Sequence, residues 1–194
     1  ITAVKDNPVI TGGKVVRTVF NEAQPGSLLD DSLTILDEDD VNLDKAIITV
    51  STNFIQTDSL FFSTAIPGGI TSSYTYGING DSLILTGSDT ITNYVTALRL
   101  AKFRNTSVDP TDNNTKTHRI VTIQVRDVGS DNRGKSWSNL LSRNVQVNAS
   151  SDPPEITLGK TVNSIYFEGD AGTLIDDSLT LADKDDIELD RAEI

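Results

Sequence analysis

Apolar residues alternate with polar or small ones in short runs along much of the chain: Ala46, Ile48 and Val50; Leu60 and Phe62; Leu83 and Leu85; Val121, Ile123 and Val125; Val145 and Val147. A period of two sends successive side chains to opposite faces, so each run predicts a half-buried β-strand. Gly68-Gly69, Asn79-Gly80 and Asp131-Asn132 punctuate the runs with residues that favour turns. One segment changes period. Ile91, Tyr94, Val95 and Leu98 recur at helical spacing behind Thr90, a good N-cap, which predicts a short helix over 90–99 that plugs one edge. Residues 105–117 have no apolar period and predict an exposed loop. Short strands with one apolar face bury it against a second layer, so the expected class is all-β: two packed antiparallel sheets in a β-sandwich with one short helix.

The chain also repeats itself. Displaced by 146 positions, Asp6–Ile48 aligns with Asp152–Ile194 without a gap, and 22 of the 43 pairs are identical. The clearest stretch sets Gly26-Ser27-Leu28-Leu29-Asp30-Asp31-Ser32-Leu33-Thr34 against Gly172-Thr173-Leu174-Ile175-Asp176-Asp177-Ser178-Leu179-Thr180. Tandem repeats are therefore expected, with 1–6 as the end of a preceding repeat and its linker, 7–151 as one complete sandwich, and 152–194 as an incomplete next repeat. With no methionine, Ile1 reads as an internal cut from a longer array. At each join, Ile1–Pro8 and Val145–Pro154, a strand runs into an Asp and then proline. Proline fixes the dihedrals of so short a linker, which should set neighbours end to end.

Charge narrows the partners. Asp plus Glu number 28 against 16 Lys plus Arg, a balance that repels nucleic-acid backbones and anionic membranes and favours cations. The absence of cysteine removes disulfides, thiolate metal sites and thiol nucleophiles. No apolar run approaches the ~20 residues that span a bilayer, so no membrane insertion is expected.

The sharpest chemical pattern is Leu36-Asp37-Glu38-Asp39-Asp40-Val41-Asn42-Leu43-Asp44, which returns as Ala182-Asp183-Lys184-Asp185-Asp186-Ile187-Glu188-Leu189-Asp190. Four aspartates keep their places while Glu38 becomes Lys184, so particular carboxylates, not bulk charge, are repeated. An isolated Asp-x-Asp more often only solvates a loop. Duplication at fixed spacing, with linker aspartates nearby, favours Ca2+, which needs six to eight oxygens gathered from several segments. The turn glycine and closing glutamate of an EF-hand loop are missing.

Catalysis is not expected. His118 is the only histidine and has no nucleophile or base beside it in sequence, so it reads as exposed or on a strand edge. Clustered hydrophilic aspartates are the wrong setting for glycosidic hydrolysis, which needs one carboxyl protonated in an apolar pocket. Trp137, Tyr74 and Tyr76 read as core or edge cover before they read as sugar platforms.

A Glu after the first strand, an Asp-x-Asp and an Asp-Pro linker follow the cadherin order of calcium motifs. Together with Gly69-Ile70-Thr71-Ser72-Ser73-Tyr74, Leu83-Ile84-Leu85-Thr86-Gly87, Tyr94–Arg99, Phe103–Ser107 and Val125-Arg126-Asp127, the chain resembles the cadherin-like, chondroitin-sulfate-proteoglycan-type tandem repeats of giant bacterial surface adhesins, among them flavobacterial gliding-motility adhesins. The linkers carry only Asp6-Asn7-Pro8 and Ser151-Asp152-Pro153, short of the full cadherin set. The resemblance implies a cadherin-like, immunoglobulin-like sandwich, extracellular at a cell surface, with neighbouring repeats and an outside glycan or protein as partners. It implies one junction site drawn from Glu22, Asp127, Asp152, Asp183 and Asp185, and a preceding one using Asp6, Asp37 and Asp39. Asp40, Asp44, Asp186 and Asp190 are second-choice ligands, and Asp44 serves equally well as a turn cap. The expected function is a calcium-rigidified stalk module in adhesion or gliding; the alternative is a calcium-dependent carbohydrate-binding module of a secreted polysaccharide-degrading protein.

Overall fold

The alternating segments pair into a six-stranded sheet in a computed structural model that describes residues 5–76, 80–130 and 134–193. The turn residues Asn79, Asp131 and Asn132, and the strand expected at Ile1–Val4, lie outside the described residues. The chain divides into two units, Ile1–Ala149 and Ser150–Ile194.

In the first unit the strands are β1 (Val9–Thr11), β2 (Thr18–Asn21), β3 (Ser27–Leu28), β4 (Thr34–Leu36), β5 (Asn42–Thr52), β6 (Asp58–Phe62), β7 (Thr71–Thr75), β8 (Ser82–Thr90), β9 (Ala101–Asn105), β10 (His118–Asp127) and β11 (Leu141–Asn148), with helix α1 at Ile91–Arg99. The large sheet runs β2-β11-β10-β5-β8-β7, a second runs β3-β9-β6, and β1 pairs with β4. Every pairing is antiparallel except β2 with β11, which is parallel, so the expected purely antiparallel sandwich is corrected at one edge.

The core is built by the period-two positions. Ala46, Ile48 and Val50 of β5 and Val121, Ile123 and Val125 of β10 are fully buried and meet Leu60 and Phe103 of the smaller sheet. Phe20 of β2 packs edge-on against Phe103 of β9, ring centroids 5.6 Å apart, which joins the two layers. Parity breaks once. Leu43 and Ala46 are both buried, because a bulge at Asp44 inserts an extra residue into β5 opposite β10, and opposite β8 the register shifts at the same place, with Asp44 set against Gly87 and Ser88.

Helix α1 carries the chain from the large sheet to the small one, and its residues match the sequence expectation. Thr90 caps it by accepting the Asn93 N–H at 3.2 Å, and Tyr94, Ala97 and Leu98 form its buried face. The Tyr94 hydroxyl, within that face, donates to the Gly87 carbonyl at 2.8 Å. Asp89 steadies the entry by accepting from Gly69 N at 2.6 Å, Thr90 N at 2.7 Å and the Asn93 amide at 2.7 Å.

The expected exposed loop at 105–117 is only partly so. Pro110 and Thr111 are buried, and the reason lies across the fold in Arg119, which has no exposed surface. Its guanidinium donates to Asp58 Oδ2 at 2.6 Å, to Asp58 Oδ1 at 3.2 Å and to the Pro110 carbonyl at 2.8 Å, and it also holds the Lys116 carbonyl. A fully paired guanidinium thus replaces the apolar contacts that the loop lacks.

The second unit holds β12 (Glu155–Thr157) antiparallel to β13 (Thr180–Ala182), in the register that β1 and β4 have 146 positions earlier. Smaller details recur too. The Lys14 ammonium donates to Thr18 and to the Leu28 carbonyl, and that of Lys160 to Ser164 and to the Leu174 carbonyl. Burial does not recur: Ile156, Ile175, Leu179 and Leu189 are exposed where Ile10, Leu29, Leu33 and Leu43 are core.

Candidate metal centre

The Asp-x-Asp segment forms the turn that delivers the chain into β5. Asp37 Oδ1 accepts the backbone N–H of Asp39 at 3.2 Å and of Asp40 at 3.0 Å, a side chain closing its own turn. Asp39 Oδ2 accepts Asp6 N–H at 3.2 Å, which fastens the incoming chain to the turn. Asp40 Oδ1 accepts Ser130 N–H at 3.0 Å, and Asp127 Oδ1 accepts Ser136 N–H at 2.9 Å, so the loop after β10 orients both.

Each carboxylate therefore spends one oxygen on fixing itself and turns the other inward. Asp37 Oδ2 and Asp39 Oδ1 are buried without a hydrogen-bond partner. Asp40 and Asp127, both with fully buried side chains, turn their Oδ2 atoms toward the Lys5 ammonium, at 3.6 and 2.9 Å. Ligand atoms of Asp37, Asp40 and Asp127 lie within 4.8 Å of one another. Two such charges repel by roughly 3–4 kcal/mol at an effective dielectric of about 20.

That crowding shifts the acids' proton affinities. The Asp37 carboxyl is pushed up to about 6, by burial first and then by the Asp39 carboxylate. Asp39 is held below the ordinary carboxylate value, first by its interaction with the neighbouring Asp37 side chain and then by Asp6 N–H and Lys5. A proton on one member offsets repulsion that a cation would otherwise relieve.

The turn is built a second time. Asp183 Oδ1 accepts Asp185 N–H at 3.2 Å and Asp186 N–H at 3.1 Å, and the Asp185 carboxylate accepts Asp152 N–H at 3.2 and 3.1 Å. Asp183, Asp185 and Asp186 again place carboxylate oxygens within 4.8 Å. Here Asp183 is lowered, chiefly by Asp185 N–H, and Asp185 is raised by burial and then by Asp183.

The expected grouping of ligands changes. Asp127 stands with Asp37 and Asp40 and not with Glu22. Glu22 follows β2 and donates its N–H to the Asn148 carbonyl at 2.9 Å, at the end of the sheet where β10 begins. Asp127 closes the far end of β10, roughly 30 Å away for a strand of that length. Asp6, Asp37 and Asp39 do come together, and so do Asp152, Asp183 and Asp185 within their own unit. Asp40, a second-choice ligand in sequence, belongs to the first cluster. Asp44 does not: the Arg126 guanidinium grips it through two 2.9 Å hydrogen bonds, and Lys135 adds another. Burial pushes Asp44 up, but these cations more than offset it and hold the carboxyl low.

The donor set fits a hard divalent cation. It is all oxygen, held in place by backbone donors and partly buried, and it is drawn from two segments, Asp37 and Asp40 from the turn before β5 and Asp127 from the end of β10. Neither a zinc-type sulfur nor an imidazole is near, since the only histidine, His118, is exposed and sits 3.4 Å from the Asn53 amide. Trp137 is faced by the Arg126 guanidinium, 5.3 Å from the ring centroid, which covers a surface that a sugar would use. No helix among the described residues is long and apolar enough to cross a membrane. No protein-family model matches the chain, and no curated protein matches its sequence.

Proposed function

We propose that the chain is a calcium-binding tandem-repeat module of a secreted or cell-surface bacterial adhesin, cadherin-like in fold, serving as a stalk in adhesion or gliding and not as an enzyme. The observation that carries this reading is the acidic turn that occurs twice, 146 residues apart, each time accepting the backbone N–H of the linker aspartate, Asp6 or Asp152. A calcium ion on Asp37, Asp40 and Asp127 would cross-link the entry to β5 with the exit from β10. Asp39 would extend the cross-link to the linker segment. Rigidity then follows by mass action, because the ion binds only the ordered arrangement. The neighbouring partners are other repeats of the same chain, and the adhesive target is an extracellular surface.

Thermal unfolding of the full chain in calcium and in chelator tests the reading. At calcium a hundredfold above its dissociation constant the gain is about 2.7 kcal/mol, which raises the midpoint by about 5–10 °C for a domain of this size. Small-angle scattering should report a narrower spread of shapes with calcium. Identical melting and identical scattering in both buffers would refute the function.

A further inference from the structure

Among the described residues, the Lys5 ammonium is the cation placed among the first cluster's carboxylates: 2.9 Å from Asp127 Oδ2 and 3.6 Å from Asp40 Oδ2, its side chain mostly buried beside two fully buried acids. The longer contact leaves Asp40 Oδ2 beyond hydrogen-bonding length and without another donor. Among the described residues, Lys5 thus brings a single positive charge to a cluster that holds the carboxylates of Asp37, Asp39, Asp40 and Asp127. The 146-residue offset that superposes Asp6 on Asp152 puts Ser151 at the position of Lys5, and a serine brings no charge. Lys184, the residue that replaces Glu38, is exposed.

We propose that Lys5 is a tethered competitor for the divalent cation, so that the first acidic site alternates between a lysine-filled and a metal-filled state while the second, with Ser151, has no such competitor. The proposal rests on the calcium reading above and adds its regulation. An ammonium 2.9 Å from Asp127 Oδ2 takes up space and negative charge that a cation bound to that oxygen would use, so the two compete. Metal entry expels the Lys5 side chain, and the apparent dissociation constant is the intrinsic one divided by the fraction of molecules already lysine-free. The residue next to Asp6 in the linker therefore sets how much calcium a given joint needs. Repeats differing only at this position would stiffen at different calcium concentrations.

Calorimetric titration with calcium chloride, in the full chain carrying Asp183→Asn and Asp185→Asn to silence the second cluster, tests this against the same chain with Lys5→Ser. If lysine fills the site nine times in ten, Lys5→Ser tightens binding about tenfold. A second measurement reads expulsion directly: reductive methylation of Lys5, followed by mass spectrometry, should speed up when calcium is added. Equal affinities with unchanged Lys5 reactivity would overturn the competition and leave the metal site standing. Weaker binding by Lys5→Ser would overturn it by making Lys5 a support of the site. Absence of calcium binding in both chains would remove the proposal and the calcium reading together.

Discussion

Asp58→Ala is the substitution whose cost the fold states most directly. Asp58 and Arg119 have no exposed side-chain surface and meet at 2.6 Å. Asp58 also accepts Ile55 N–H at 2.9 Å and the Asn105 amide at 2.7 Å. Truncation leaves a buried guanidinium without its counter-ion, a change that costs about 3–5 kcal/mol in buried pairs. The two orphaned donors push toward the upper end. With a urea slope of about 2 kcal/mol per molar, the midpoint should fall by roughly 2 M. Trp137, the single tryptophan and a member of the first unit, provides the fluorescence signal. Asp58→Leu combined with Arg119→Met removes both charges and should lose much less than Asp58→Ala alone. A shift below about 0.5 M for Asp58→Ala, on the same slope, would refute the claim that this pair anchors residues 105–117.

Three further outcomes follow from single sites. Gly80 has φ +127°, and a Cβ there would stand 2.0 Å from the Val50 carbonyl oxygen, so Gly80→Ala should cost at least about 2 kcal/mol in the same unfolding assay. Asp89 is held below the ordinary carboxylate value by the Asn93 amide first, then by Gly69 and Thr90 N–H. Its folded pKa lies below the unfolded one, so its stabilisation is present above the unfolded value and is lost as pH falls through the folded one; melting between neutral and strongly acid pH should be less pH-dependent in Asp89→Asn. The proton that Asp37 retains up to about 6 must leave when a metal binds, so calcium affinity should fall as pH drops below about 6 and should depend less on pH in Asp37→Asn.

Much of the fold was legible because its signals are local. The spacing of Ile91, Tyr94, Val95 and Leu98 with the Thr90 cap locates α1, and alternation in β5, β8 and β10 locates the central strands. What escaped is non-local. Which strand β2 joins, and that it does so in parallel with β11, depends on the packed layers and not on any residue of β2. The burial of Pro110 and Thr111 follows from Arg119, whose place in the buried row of Val121, Ile123 and Val125 is readable by parity but not from its charge. Asp127 ends that same row. Its parity predicts an inward carboxylate, but only the direction of β10 decides that it meets Asp37 and Asp40 and not Glu22. Ser130 and Ser136 act through backbone N–H groups, which no side-chain pattern announces.

Crystals of the full chain grown in calcium, with anomalous scattering collected to locate any bound ion, test the proposed metal centre itself. A peak coordinated at about 2.3–2.6 Å by oxygens of Asp37, Asp40 and Asp127, with the Lys5 ammonium displaced, is the predicted result. Lysine still seated against Asp127 in saturating calcium, with no peak among the three carboxylates, would contradict it.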